Sequence, residues 1–121
     1  GFVSRGLGDV YKRQWVVKPE FVNNWNEITE AHTKWMAETH YRDGNKKLHF
    51  LNWSTAPEIK DDKETGNTMF VLTEVYETSV GVDDHAQQAK ETLSLPHSTK
   101  NGVVSLTICD YGAIKHSLWK D

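Results

Sequence analysis

The chain has a single cysteine, Cys109, so no internal disulfide can staple it, and a lone thiol fits a reducing, cytoplasmic compartment. It has no apolar run long enough to span a bilayer, so no membrane association is expected. Basic charge is scarce as well. Without residues 1–14, which hold Arg5, Lys12, Arg13 and Asp9, eleven basic side chains stand against sixteen acidic ones, and Arg42 is the only arginine left. Such a surface repels phosphate backbones, so nucleic acid is not an expected partner. Cys-x-x-Cys and His-Glu-x-x-His spacings are absent, and the Asp83-Asp84-His85 cluster and His49 make no convincing ligand set, so no metal site is expected. A nucleophile elbow is missing too, which excludes Ser/His/Asp catalysis as an expectation.

What is there is a length of 121 residues, enough for one domain with a core of its own. Hydrophobic residues make up only 37%, but five tryptophans each bring a large apolar surface to bury. The run Ser4-Arg5-Gly6-Leu7-Gly8-Asp9-Val10-Tyr11-Lys12-Arg13-Gln14 resembles the translation of a widely used transposon-based sequencing adaptor. Residues 1–14 are therefore expected to be non-native and residues 15–121 to form the domain, its first strand largely replaced.

Trp15-Val16-Val17 reads as the end of a strand stopped by Lys18-Pro19, with the proline preorganised for a first helical position. Phe21, Trp25, Ile28, His32 and Trp35 then recur at spacings of four and three, one face of an amphipathic helix, until Arg42-Asp43-Gly44-Asn45 turns the chain. Lys47 to Trp53 reads as a second strand, and Pro57 to Asn67 as a charged, solvated loop. Thr68 to Tyr76 is the clearest strand, with Met69, Val71, Thr73 and Val75 on one face and Phe70, Leu72, Glu74 and Tyr76 on the other. A second helix is expected from an N-cap at Thr78 or Ser79. Val103 to Cys109 is expected as a last strand, broken by Asp110-Tyr111-Gly112 and followed by an extended arm to Trp119. The order βαββαβ is the ferredoxin-like α+β arrangement: an antiparallel sheet with two helices on one face. Bulky residues on both faces of the central strands call for a second cover, which a second copy of the chain would supply.

Some side chains carry chemistry. His85, early in the second helix, titrates near neutral pH and suits an acid, a base or a donor to a carbonyl. Glu74 shares a strand face with apolar neighbours, and partial desolvation would make it a usable proton acceptor. Trp35, Trp53 and Tyr76 could line a cavity for an aromatic ligand or fill the core. His32 sits on the apolar helix stripe, where most histidines are satisfied core residues. Arg42 could hold a carboxylate or an exposed ion pair, and Cys109 is expected buried as a small apolar residue.

The segments Val17-Lys18-Pro19-Glu20, Phe70-Val71-Leu72-Thr73-Glu74-Val75-Tyr76-Glu77 and Gly81-Val82-Asp83-Asp84-His85 resemble the antibiotic-biosynthesis-monooxygenase-like branch of the dimeric α/β barrel superfamily. The resemblance implies a homodimeric barrel with cavities between each sheet and its helices. It also implies oxidation of quinol-like or polyketide-like aromatic molecules by oxygen, with no bound cofactor. His85 and Glu74 would then be catalytic, and His32, Trp35, Trp53 and Tyr76 would line the substrate. A related branch degrades haem, but His85 stands about where that branch has a tryptophan, and His97, the other histidine to consider, follows Pro96 in a loop. The alternative expectation is a non-catalytic ligand-binding or stress-response dimer on the same fold.

Overall fold

Alternating β-formers start the sheet early. A computed structural model describes residues 8–93 and 101–118, and in it β1 runs Asp9–Val17, beginning six residues before Trp15. The expectations placed on Ser4 to Leu7, His97 and Trp119 lie outside the described residues. Val10, Tyr11 and Gln14 are compatible with a pleated strand, and main-chain hydrogen bonds do the pairing whatever the side chains are. A 3-10 turn at Pro19–Phe21 leads into α1 (Val22–Thr39). Then come β2 (Leu48–Lys60), β3 (Lys63–Tyr76), α2 (Ser79–Thr92) and β4 (Val103–Ala113).

The four strands form one antiparallel sheet in the order β2-β3-β1-β4, the ferredoxin-like arrangement. Trp15 pairs with Phe70 and Tyr11 with Glu74 across β1 and β3, and Trp53 pairs with Leu72 across β2 and β3. Directly opposed residues share a face, so these six, with Tyr76, form the side covered by both helices. Trp25 and Ile28 of α1 and Val82 of α2 bury against it. Trp25 packs 5.1 Å from Trp15 and 5.6 Å from Phe70, ring centre to ring centre, and its indole N–H donates to the Asn101 carbonyl at 2.9 Å. Each such ring removes on the order of 200 Å² from water, which is how a chain poor in aliphatics makes a core. The opposite face carries Val10, Val16, Met69, Val71 and Val75 with polar Lys12, Gln14, Thr73 and Asn52 between them.

The region from Pro57 to Asn67 is not a loop. β2 and β3 continue as a hairpin whose turn is the pair Asp61-Asp62, both at positive φ (51° and 62°), as a tight two-residue connection requires. Glu58 accepts from Thr65 Oγ1 at 2.7 Å and from Asn67 Nδ2 at 3.2 Å, tying the two arms together. The charged run stays solvated because it lies on exposed strand ends and needs no loop to do so.

Likewise Asp110-Tyr111-Gly112 does not end β4. The disturbance is a bulge opposite Val10 and Tyr11, with Tyr111 at φ 56°, and pairing resumes to Ala113. The strand stops there, and residues 114–118 are irregular. Cys109 lies on the uncovered sheet face and is exposed in the single chain, against the expectation of burial. The N-cap of α2 is Thr78, whose hydroxyl accepts from the Val80 amide at 3.1 Å.

Candidate functional site

The end of β3 delivers two polar groups into the interior. Side chains alternate along a strand, so the register that buries Phe70 and Leu72 also buries Glu74 and Tyr76. The four- and three-residue spacing of α1 brings His32 in behind Trp25 and Ile28, with Trp35 beside it. α2 presents His85 from its second turn, against Tyr11 of β1 at 4.6 Å edge-on.

Glu74 has no solvent exposure, and His32 and His85 have 2% each. The Tyr76 hydroxyl donates to Glu74 Oε1. His85 Nδ1 lies 3.6 Å from the same oxygen, and His32 Nε2 lies 3.8 Å from Oε2, which accepts no hydrogen bond. A further histidine joins them, since His40 Nε2 is 3.0 Å from His85 Nδ1.

The proton positions follow from donor and acceptor counting. Thr39 Oγ1 donates to the Trp35 carbonyl at 2.7 Å, so it accepts from His40 Nδ1 at 2.9 Å. Neutral His40 then offers its Nε2 lone pair to the Nδ1–H of His85. At the other end, Trp53 Nε1–H donates to His32 Nδ1 at 3.2 Å, which puts the proton of neutral His32 on Nε2, facing Glu74.

Electrostatics favour this neutral arrangement. Burial pushes the Glu74 carboxyl up to about 8, and the Tyr76 hydrogen bond and the Arg13 charge only partly oppose it. Burial lowers His40 below the ordinary imidazole value, against the pull of Asp84. Tyr76 is raised by burial and by the carboxyl it faces, and Tyr11 chiefly by burial. At neutral pH Glu74 is therefore mostly a carboxylic acid, with an affinity that lets it exchange protons near physiological conditions.

His32, Glu74 and His85 also offer three ligand-type atoms within 4.8 Å of one another, all buried. The count suits a metal; the polarity does not. A ligating imidazole donates its other N–H to an acceptor, whereas His32 Nδ1 faces the N–H of Trp53. Ligation through Nε2 would turn that hydrogen bond into a clash of two donors, and the carboxyl would have to ionise where burial opposes it. The trio fits proton storage better than a cation.

No family model, curated protein or solved structure matches this chain. The site is therefore read from its own geometry.

The six residues expected to be catalytic or to line a substrate meet here. Glu74, His85, His32 and Tyr76 form the polar centre. Trp35 lies 5.8 Å from the His85 ring and Trp53 5.3 Å from the His32 ring. Trp53 also stacks on Trp15 at 5.5 Å, so it is part of the core as well as of the site wall. Two participants were missed. His40 follows the last turn of α1, off its periodic stripe, and Tyr11 lies within the adaptor-like run. His40 is visible in the sequence only as the residue that ends α1, and packing alone brings it to His85.

Beside this centre an open cavity of about 440 Å³ lies between the C-terminal end of α1 and the start of β2. His40 lines it, and so one imidazole separates the cavity from His85.

Proposed function

We propose that the chain is a homodimeric, cofactor-independent monooxygenase acting on a small quinol-like or polyketide-like aromatic molecule. The observation that carries this reading is the buried Glu74 carboxyl, poised near pH 8 and joined through His85 to His40 at a cavity wall. The family resemblance in the segments around Glu74 and His85 supports it independently.

In this mechanism the substrate displaces the His85 N–H from His40 Nε2, whose freed lone pair takes a proton from a substrate methylene activated by an adjacent aromatic carbonyl, and the ionised fraction of Glu74 stores it through His85. The carbanion passes one electron to oxygen, and the two radicals combine into a carbon–oxygen bond. The peroxide takes the proton back and then loses water, leaving a carbonyl. One methylene and one oxygen molecule thus yield one carbonyl and one water. A group whose affinity lies near the working pH serves best for such a reversible transfer. The sheet face away from the helices, where Val10, Met69 and Val71 are half-exposed among polar neighbours, is where a second copy would seat.

Oxygen consumption with a panel of hydroquinones and anthrone-like compounds tests the reading. Turnover in the parent chain, and its loss in both Glu74→Gln and His85→Gln with dimer mass retained, is the expected result. Turnover that survives in both variants refutes it. The alternative, a ligand-binding dimer without chemistry, is favoured by Trp35 lying 5.3 Å from the cavity-lining His40. It predicts quenching of tryptophan fluorescence with no oxygen consumed by any of the compounds.

A further inference from the structure

The cavity at the α1–β2 junction has a charge character at odds with the chain around it. The protein is acidic overall, yet no carboxylate lines this cavity, while Arg42, Lys47, His40 and His49 do. Local structure holds these side chains in place. Between α1 and β2 the chain folds back at Gly44 (φ 82°), and two main-chain hydrogen bonds close the fold, Lys47 N–H to the Gly44 carbonyl at 3.2 Å and Leu48 N–H to the Tyr41 carbonyl at 2.9 Å. The Glu77 amide donates to the Lys47 carbonyl at 2.8 Å, and Thr78 Oγ1 donates to the Asn45 carbonyl at 2.8 Å, pinning the turn to the start of α2.

The basic side chains at this turn are not equivalent. Lys46 is engaged by Asp84 at 3.3 Å and lies 5.3 Å above the Tyr41 ring. His49 Nε2 lies 2.6 Å from Glu77 Oε2. Arg42 and Lys47 have no ion pair among the described residues. The rest of the lining is apolar or aromatic, including Met36, Leu48 and Phe50. A volume of 440 Å³ is in the range of small-ligand sites.

We infer that this cavity is a binding site for an aromatic carboxylate, its acid group held by Arg42 and Lys47 and its ring lying on Leu48 toward His40. Arginine's planar fork matches a carboxylate in two parallel hydrogen bonds, and the half-buried Lys47 adds a second charge to it. The inference rests on the proposed function for its direction, because only the link from His40 to His85 and Glu74 makes a ligand here a substrate. The carboxylate would be the handle that fixes the ring, and the reacting carbon would lie at the His40 end.

Isothermal titration with 2-naphthoate tests the site without reference to turnover. The expected result is measurable binding, with the uncharged 2-naphthamide at least about tenfold weaker, as loss of a charge-assisted pair implies. Arg42→Gln and Lys47→Gln should each weaken 2-naphthoate by about tenfold and leave the amide unaffected. Both positions lie on the chain surface, and unchanged melting temperatures will show that the variants fold. Equal affinity for acid and amide, or 2-naphthoate binding unaltered in the double variant, overturns the site. Tighter binding of 2-naphthyl phosphate than of 2-naphthoate overturns the carboxylate assignment. Carboxylate-selective binding without oxygen consumption by any aromatic acid leaves the site standing and removes the oxygenase. Oxygen consumption on uncharged quinols without 2-naphthoate binding does the reverse.

Discussion

Glu74→Gln should make the protein more stable at pH 8 than the parent, although it removes a side chain from the centre of the site. The amide has the shape of the neutral acid and keeps an oxygen for the Tyr76 hydroxyl, but it cannot ionise. In the parent, the folded carboxyl sits near 8 against an ordinary value of 4.5. Between those values the native state holds a proton that the unfolded chain has released, so stability falls as pH rises, by about 1.4 kcal/mol per pH decade. The full span corresponds to roughly 5 kcal/mol, and structural relaxation or water entry could halve it. Even half, at about 4 °C per kcal/mol for a domain of this size, separates the melting temperatures by roughly 10 °C at pH 8.5. Near pH 4 the two proteins should melt together, since Glu74 is then protonated in both states. The assay is thermal or urea unfolding of both chains from pH 4 to 9. Histidine titrations contribute to both curves and cancel in the difference. Parallel curves would show that Glu74 is not held neutral. A parent that gains on the variant between pH 5 and 8 would mean a carboxylate paired with imidazolium at His85 or His32. Either result removes the proton-storing role.

Two other expectations follow from packing and polarity. Gly81 lies where α2 crosses β3, and a Cβ there would stand 2.6 Å from Tyr76 Cδ1 and 3.0 Å from the Lys46 carbonyl, so Gly81→Ala should cost about 2 kcal/mol or more, read as a lowered urea midpoint. It should also displace the Tyr76 hydroxyl from Glu74 and so change the pH dependence described above, which a change at a remote helical position would not do. Zinc or ferrous iron at a tenfold excess over protein should leave the melting temperature within 1–2 °C of that with chelator at pH 7, by roughly the linkage expected for no binding, because His32 presents the wrong polarity to its neighbour. A larger metal-dependent rise, abolished in His32→Gln, would show that the Trp53 contact yields to a cation.

The polar centre was legible where a single element fixes it. Phe70, Leu72, Glu74 and Tyr76 share a face because a strand alternates, and Trp25, Ile28 and His32 share one because a helix repeats. The start of α2 was readable to within one residue, Thr78 or Ser79, because a capping hydroxyl has a local task, and Thr78 is the one that performs it. The hairpin from Pro57 to Asn67 was not readable, because its charges, proline and Gly66 carry the composition of a loop. Main-chain pairing with an exposed neighbour tolerates all of these on both arms. His40 was missed because its contact with His85 spans 45 positions and belongs to neither helix's period. Cys109 was misjudged because the face it lies on is covered only if another surface meets it.

Tyr11 bears on the chemistry more directly than its place in the chain suggests. The backbone pairing of β1 with β3 on one side and β4 on the other is indifferent to the side chain at that position. The site is not indifferent. Tyr11 opposes Glu74 across the strands, lies edge-on to His85, and carries the Arg13 guanidinium 4.5 Å from its own ring. That ring is part of the apolar shell whose desolvation keeps the carboxyl protonated. A hydrogen-bond donor at the same place would stabilise the carboxylate and move Glu74 back toward its ordinary value. Residue 11 thus bears on the desolvation of Glu74 as well as on the core, of which Tyr11 is a buried member. Tyr11, buried against His85, adds to the desolvation that raises Glu74, and Arg13 two residues further along the same strand opposes it with its charge, so side chains of β1 act on that proton affinity in both directions.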